Sequence, residues 1–108
     1  LAAVAALTTT KMPKYENGKV NYDERSGALP ITTMPISVTI VKINEKLLVD
    51  PSKEEESVAD ARLTVSIKKG GNVCSLQKGG IEGFTVEELQ KILQIAAEKQ
   101  EDLRAALK

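Results

Sequence analysis

From Leu29 onward, apolar and polar residues alternate with period two. Ile36, Val38 and Ile40 fall on one side and Ser37 and Thr39 on the other, with Pro30 and Pro35 confined to the approach; this predicts a half-buried strand. Ile43 to Lys46 turns the chain into Leu47, Leu48 and Val49, and Asp50-Pro51 ends that run, because proline has no N–H to give to a ladder. Leu63, Val65 and Ile67 then alternate with Thr64 and Ser66, Gly70-Gly71-Asn72 supplies a turn, and Val73 to Lys78 returns. Two hairpins follow from this, and with them a mostly antiparallel four-stranded sheet. Between them, Glu54, Glu55 and Glu56 come just after Pro51, as in a first helical turn, so a short helix or turn is expected before Ala61.

Toward the C-terminus the period changes to that of a helix. Thr85-Val86-Glu87-Glu88 is a capping box, across which Phe84 can staple onto Leu89. Val86, Leu89, Ile92, Leu93, Ala96, Leu103 and Leu107 form one apolar stripe, expected to cover a face of the sheet. Lys99, Arg104 and Lys108 complement the helix dipole, while Gln100 interrupts the stripe and is expected to mark where the helix leaves the core. At the other end, the alanine-rich stretch Leu1 to Leu7 reads as the end of a buried helix, with no capping residue before it and Thr8 to Thr10 weakening it. Residue 1 is therefore expected to be a cut edge within a longer natural chain. Lys11 to Ser26 is a polar connector in which Asn17-Gly18, flanked by Tyr15, Val20 and Tyr22, predicts an exposed hairpin. Together these elements give an α+β fold of sheet and helices.

Composition narrows the chemistry. The 108 residues are 42% apolar and 28% charged, which suits one modest core. Fifteen basic and fifteen acidic residues leave no net charge for a long-range hold on nucleic acid or an anionic membrane, so any RNA contact must be local or shared. With no His and a single Cys, a Ser-His-Asp or Cys-His nucleophile pair, a His-ligated zinc and an internal disulfide are excluded. Cys74, among small and apolar residues, is expected to be a buried reduced thiol, which fits a reducing compartment. No apolar run approaches the ~20 residues that span a bilayer, and the opening lacks the basic residues of a signal peptide. The expectation is a soluble, cytoplasmic protein with no membrane contact.

Three polar features carry candidate chemistry. Acids between Asp50 and Arg62 lie at the end of one strand and just before the next, where carboxylates can hold Mg²⁺ with phosphate and water; spacing alone favours a solvated acidic turn. Gly79-Gly80-Ile81-Glu82-Gly83 resembles a phosphate-cradling loop before a helix, but it lacks the Lys and Ser/Thr of a P-loop, and Glu82 would repel phosphate, so a flexible lead-in is favoured. Lys68, Lys69 and Lys78 offer a small basic edge without aromatics on which bases could stack; lysines on a strand edge more commonly discourage aggregation.

The run Pro35-Ile-Ser-Val-Thr-Ile-Val-Lys-Ile, then Leu47-Leu-Val-Asp-Pro-Ser, Glu54-Glu-Glu-Ser-Val-Ala-Asp-Ala-Arg-Leu-Thr-Val and Gln77-Lys-Gly-Gly closely resembles the C-terminal half of RNase PH-like proteins. Within that family it looks most like the non-catalytic RNase PH-like subunits of archaeal exosomes, with Val49-Asp50-Pro51 and Glu54 to Ser57 the more specific features. The resemblance covers essentially the whole chain. It implies that residues 1–34 end a first RNase PH subdomain and carry a hairpin connector, and that residues 35–108 form the C-terminal subdomain. It also implies a hexameric ring shared with a catalytic sister subunit, with cap proteins and single-stranded RNA as further partners and no cofactor or metal of its own. Catalytic members carry two Asp residues six positions apart in the turn that Asp50 to Arg62 occupies. Asp60 matches the second, whereas Glu54 stands at the first, so the reach of that carboxylate changes by one methylene. The expectation is therefore a chain with no catalytic residues, which structures the sister's active site and helps guide RNA for 3′ to 5′ phosphorolysis. The alternative is an active phosphorolytic exoribonuclease using Glu54 and Asp60 as metal or acid residues. RNA-contacting residues within this half are not identified by the resemblance.

Overall fold

The computed structural model describes residues 1–107. Lys108, expected to complement the helix dipole, lies outside the described residues. The chain forms two compact units, Leu1–Met34 and Pro35–Lys108.

In the first unit, helix α1 (Ala2–Thr9) has no side-chain cap at its start. It continues through the first two threonines because the hydroxyls of Thr8, Thr9 and Thr10 donate to the carbonyls of Ala5 and Ala6 at 2.7–3.0 Å, satisfying groups that the last turn leaves open. The expected burial of this helix is not found: none of its residues is buried. Its unit otherwise contains only a two-stranded ribbon, which supplies no second layer. The ribbon pairs β1 (Lys11–Glu16) with β2 (Lys19–Ala28), and Asn17 and Gly18 both take positive φ in the turn, as the hairpin signal predicts. The pairing slips on either side of Pro13, which has no N–H for the ladder. Tyr15 and Tyr22 remain 69% and 74% exposed.

The second unit holds the core. Strands β3 (Ile36–Ile43) and β4 (Lys46–Val49) form one hairpin, a short helix α2 (Lys53–Ser57) follows, and β5 (Ala61–Ile67) and β6 (Val73–Gly80) form the other. The sheet order is β4-β3-β5-β6, antiparallel throughout, with Ile36 opposite Ile67, Val38 opposite Val65 and Ile40 opposite Leu63. Those side chains share one face, on which Ile92 and Ala96 of helix α3 (Val86–Ala105) pack, with Phe84, Leu89 and Leu93 around them. Each fully buried Ile or Val contributes roughly 1.5–3 kcal/mol. On the opposite face Ser37 meets Ser66 at 2.8 Å and Thr39 meets Thr64 at 2.9 Å, cross-strand rungs that satisfy the hydroxyls.

Four details differ from the pattern reading. Val86 is 68% exposed, because Phe84, just ahead of the cap, takes the place over the core. Gln100 does not mark an exit from the core: it is 2% exposed, and its Oε1 accepts from Arg104 Nε at 3.1 Å while Arg104 Nη2 donates to the Ile67 carbonyl at 3.1 Å. The stripe thus passes through a polar link that ties the last turns of α3 to the end of β5. Gly79 and Gly80 are not a flexible lead-in but the last residues of β6, opposite Arg62 and Ala61. Cys74 is exposed rather than buried, since β6 is an edge strand nearly all of whose residues are exposed; its thiol donates to the Ser66 carbonyl at 3.3 Å.

Candidate functional site

The acidic segment between β4 and β5 is built by local rules. Asp50 takes a φ of +52°, which ends β4, and Ser52 then caps α2: its Oγ accepts from the Glu55 N–H at 3.2 Å, and Glu55 Oε2 accepts from the Ser52 N–H at 2.8 Å. The signal for this cap, Ser52-Lys53-Glu54-Glu55, is present in the sequence but is masked there by the acid run. Glu54 lies in the first turn of α2 with its side chain exposed, where its charge complements the helix N-terminus.

Asp60 sits six residues on, and its groups point elsewhere. Its N–H donates to the Lys42 carbonyl at 2.9 Å, its carboxylate Oδ2 accepts from the Asn44 N–H at 2.9 Å, and its carbonyl accepts from the Glu82 N–H at 3.1 Å. Among the described residues no hydrogen bond or ion pair joins Glu54 to Asp60, and no group of three or more Cys, Asp or Glu side chains is arranged to hold a metal ion.

Next to Asp60 lies a pocket of ≈ 210 Å³ lined by Glu56, Ala59, Ala61, Arg62 and Gly80. Its one cation, Arg62, is paired with Glu56 of α2, and its guanidinium lies across Gly79, where a Cβ would come within 2.9 Å of Nη2. The three lysines expected to share an edge are spread along the second hairpin. Lys68 and Lys69 are at its turn, while Lys78, opposite Leu63, donates to the Gly80 carbonyl at 2.9 Å near the other end.

Sequence reasoning missed Lys42. This residue lies on the core face of β3, 8% exposed, and its ammonium donates to the Gly83 carbonyl at 2.9 Å and to Glu88 Oε2 at 3.4 Å, with Glu82 at 3.8 Å and the Phe84 ring centroid at 5.6 Å. A lysine at an alternating apolar position is the one available hint. Glu88 meanwhile completes the capping box of α3, Thr85 N–H to Glu88 Oε2 at 2.8 Å. That backbone bond holds its carboxyl below the usual glutamate range; partial burial opposes the shift, and the Lys42 charge adds to it. In the ribbon, Lys14 is held above the usual lysine range by Glu24 and then Glu16, at 3.0 and 3.1 Å.

The pattern of the 3′ exoribonuclease family, domain 2, matches residues 33–99. The chain belongs to the 3′ exoribonuclease family. Over 111 residues this family member is 40% identical to the exosome complex component Rrp42 of Methanopyrus kandleri, covering 100% of this chain and 42% of that protein. It is 38% identical to the same component of Thermococcus kodakarensis, over 96% of this chain and 40% of the relative. Among solved structures it is similar to the Archaeoglobus fulgidus exosome with RNA bound to the active site, at a TM-score of 0.82 and 35% identity over 98% of this chain and 40% of that one. An archaeal exosome core is similar at a TM-score of 0.80 and 34% identity, over 94% of this chain and 40% of that one. The chain thus spans about two fifths of the length of the relatives it matches. The α+β fold with its antiparallel four-stranded sheet, expected from the pattern and the RNase PH-like resemblance, is the one this family member adopts.

Proposed function

We propose that this chain is the second half of a non-catalytic ring subunit of an exosome. It structures the active site of a catalytic RNase PH-like sister and helps guide single-stranded RNA for 3′ to 5′ phosphorolysis. The observation that carries the reading is the disposition of the two acids that the resemblance matches to the catalytic pair: Asp60 spends its carboxylate on a backbone N–H of the β3–β4 turn, and Glu54, one methylene longer than the expected Asp, shares no partner with it among the described residues. Acid or metal chemistry needs such groups held to about 0.5 Å around a common ligand. The naming of similar proteins as exosome components supports the assembly, and the neutral charge supports RNA contacts shared with other chains.

We propose further that residues 1–34 end a first subdomain and residues 35–108 form the C-terminal subdomain, with cap proteins as further partners, no cofactor, and the cytoplasm as compartment. Among the described residues no helix is long and apolar enough to cross a membrane. The test is phosphate-dependent shortening of a labelled single-stranded RNA by the natural full-length protein, alone and mixed with its catalytic sister. No activity alone with stimulation in the mixture is expected. Release of nucleoside diphosphates by the protein alone overturns the reading and makes it an active exoribonuclease.

A further inference from the structure

We infer that Asp60 is a positioning residue, whose carboxylate and backbone bind three separate chain segments into one fixed junction between the end of β3, the start of β5 and the connection into α3. For what Asp60 does not do, the inference rests on the non-catalytic reading above; for what it does, it rests on the contacts.

The β3–β4 turn receives a support from outside itself. Its two central residues, Asn44 and Glu45, have φ of +47° and +64°, a left-handed conformation that asparagine tolerates and that glutamate adopts at a cost. Asp60 Oδ2 accepts the N–H of the first of them at 2.9 Å, a charge-assisted bond that holds the turn from across the sheet end. The backbone of Asp60 is fixed from both sides, by its N–H to the Lys42 carbonyl and by the Glu82 N–H to its carbonyl. Gly80, at φ +85°, packs so closely here that a Cβ would lie 2.7 Å from the Asp60 carbonyl oxygen and 2.8 Å from Ala61 Cα. Lys42 closes the circuit, because the residue whose carbonyl receives the Asp60 N–H also sends its ammonium to the Gly83 carbonyl and to Glu88 in the first turn of α3. A short acceptor-only side chain meets these demands: alanine has no acceptor, and glutamate extends one methylene too far. Asparagine keeps the acceptor and the length while removing the charge and the acidity.

That difference supplies the test, made in the natural full-length protein by following hydrogen exchange at the amides of Asn44 and Glu82 in Asp60→Asn and Asp60→Ala. With Asp60→Ala, exchange at Asn44 is expected to rise on the order of tenfold, the scale of one lost hydrogen bond; with Asp60→Asn it stays close to the unaltered protein. Equal exchange in both variants, whether fast or slow, overturns the inference. RNA phosphorolysis by the same variants separates this outcome from the fate of the proposed function. Should the protein prove active alone and Asp60→Asn abolish that activity with Asn44 still protected, Asp60 is a reacting group and the inference falls. Should activity alone survive Asp60→Asn, the proposed function falls and the positioning role stands.

Discussion

Glu88 makes two kinds of bond with one carboxylate: a backbone cap at Thr85 and a charge contact to the nearly buried Lys42. Because its folded-state pKa lies below the ordinary glutamate value, the linked stability is fully present above that ordinary value and is lost as pH falls through the depressed one. Glu88→Gln keeps an acceptor for the cap but removes the titration, so unfolding midpoints followed from neutral pH into acid are expected to fall less steeply in that variant. Thr85→Ala removes the reciprocal bond and is expected to lower stability by about 1 kcal/mol in denaturant unfolding. The Thr85–Glu88 pair was legible because its members are three residues apart. Lys42 was not, since its partners Gly83 and Glu88 are 41 and 46 residues away and nothing local announces them. The anchoring of Asp60 to Asn44, 16 residues back across the sheet end, escaped for the same reason.

At the level of elements, periodicity identified the strands and helices that bury one face, because burial imposes the period. Hence Ile36 to Ile40, Leu63 to Ile67 and the Ile92–Ala96 stretch were readable. Gly79 and Gly80 carry no apolar signal, and only their cross-strand partners Arg62 and Ala61 place them in a ladder. Cys74 is exposed although the residues beside it are small and apolar, because exposure depends on the position of β6 at the sheet edge. The two glycines should respond differently to a methyl group. Gly80→Ala meets backbone atoms of Asp60 and Ala61 at a positive φ and is expected to cost on the order of 2–3 kcal/mol. Gly79→Ala meets first the guanidinium end of the long Arg62 side chain, which can shift where backbone cannot, and is expected to cost less than about 1 kcal/mol. Denaturation midpoints of the two variants check the ranking; equal losses would mean that Asp60 does not hold this end of β6 closely.

At the scale of the molecule, the two units are unequally self-sufficient. The second has a core beneath α3, whereas α1 and the β1–β2 ribbon bury no residue. An eight-residue helix and a lone hairpin are each marginal in water. In the 108-residue chain by itself, amides of α1 and the ribbon are therefore expected to exchange at least on the order of 10²-fold faster than those of β3 and β5. Uniform protection would show that the first unit is stable without cover. The mainly apolar α1, none of whose residues is buried, was unreadable as such from its sequence, which is that of a buried helix; what a helix packs against is not written in its own residues.

The exposed thiol of Cys74 gives β6 a chemical address. This chain has no second cysteine, and the side chain stands on the strand at the end of the sheet order. A fluorophore or spin probe attached there would sit on the row of backbone groups that a neighbouring strand would have to reach. Its accessibility, mobility and emission then become a direct optical or magnetic record of when that edge is covered.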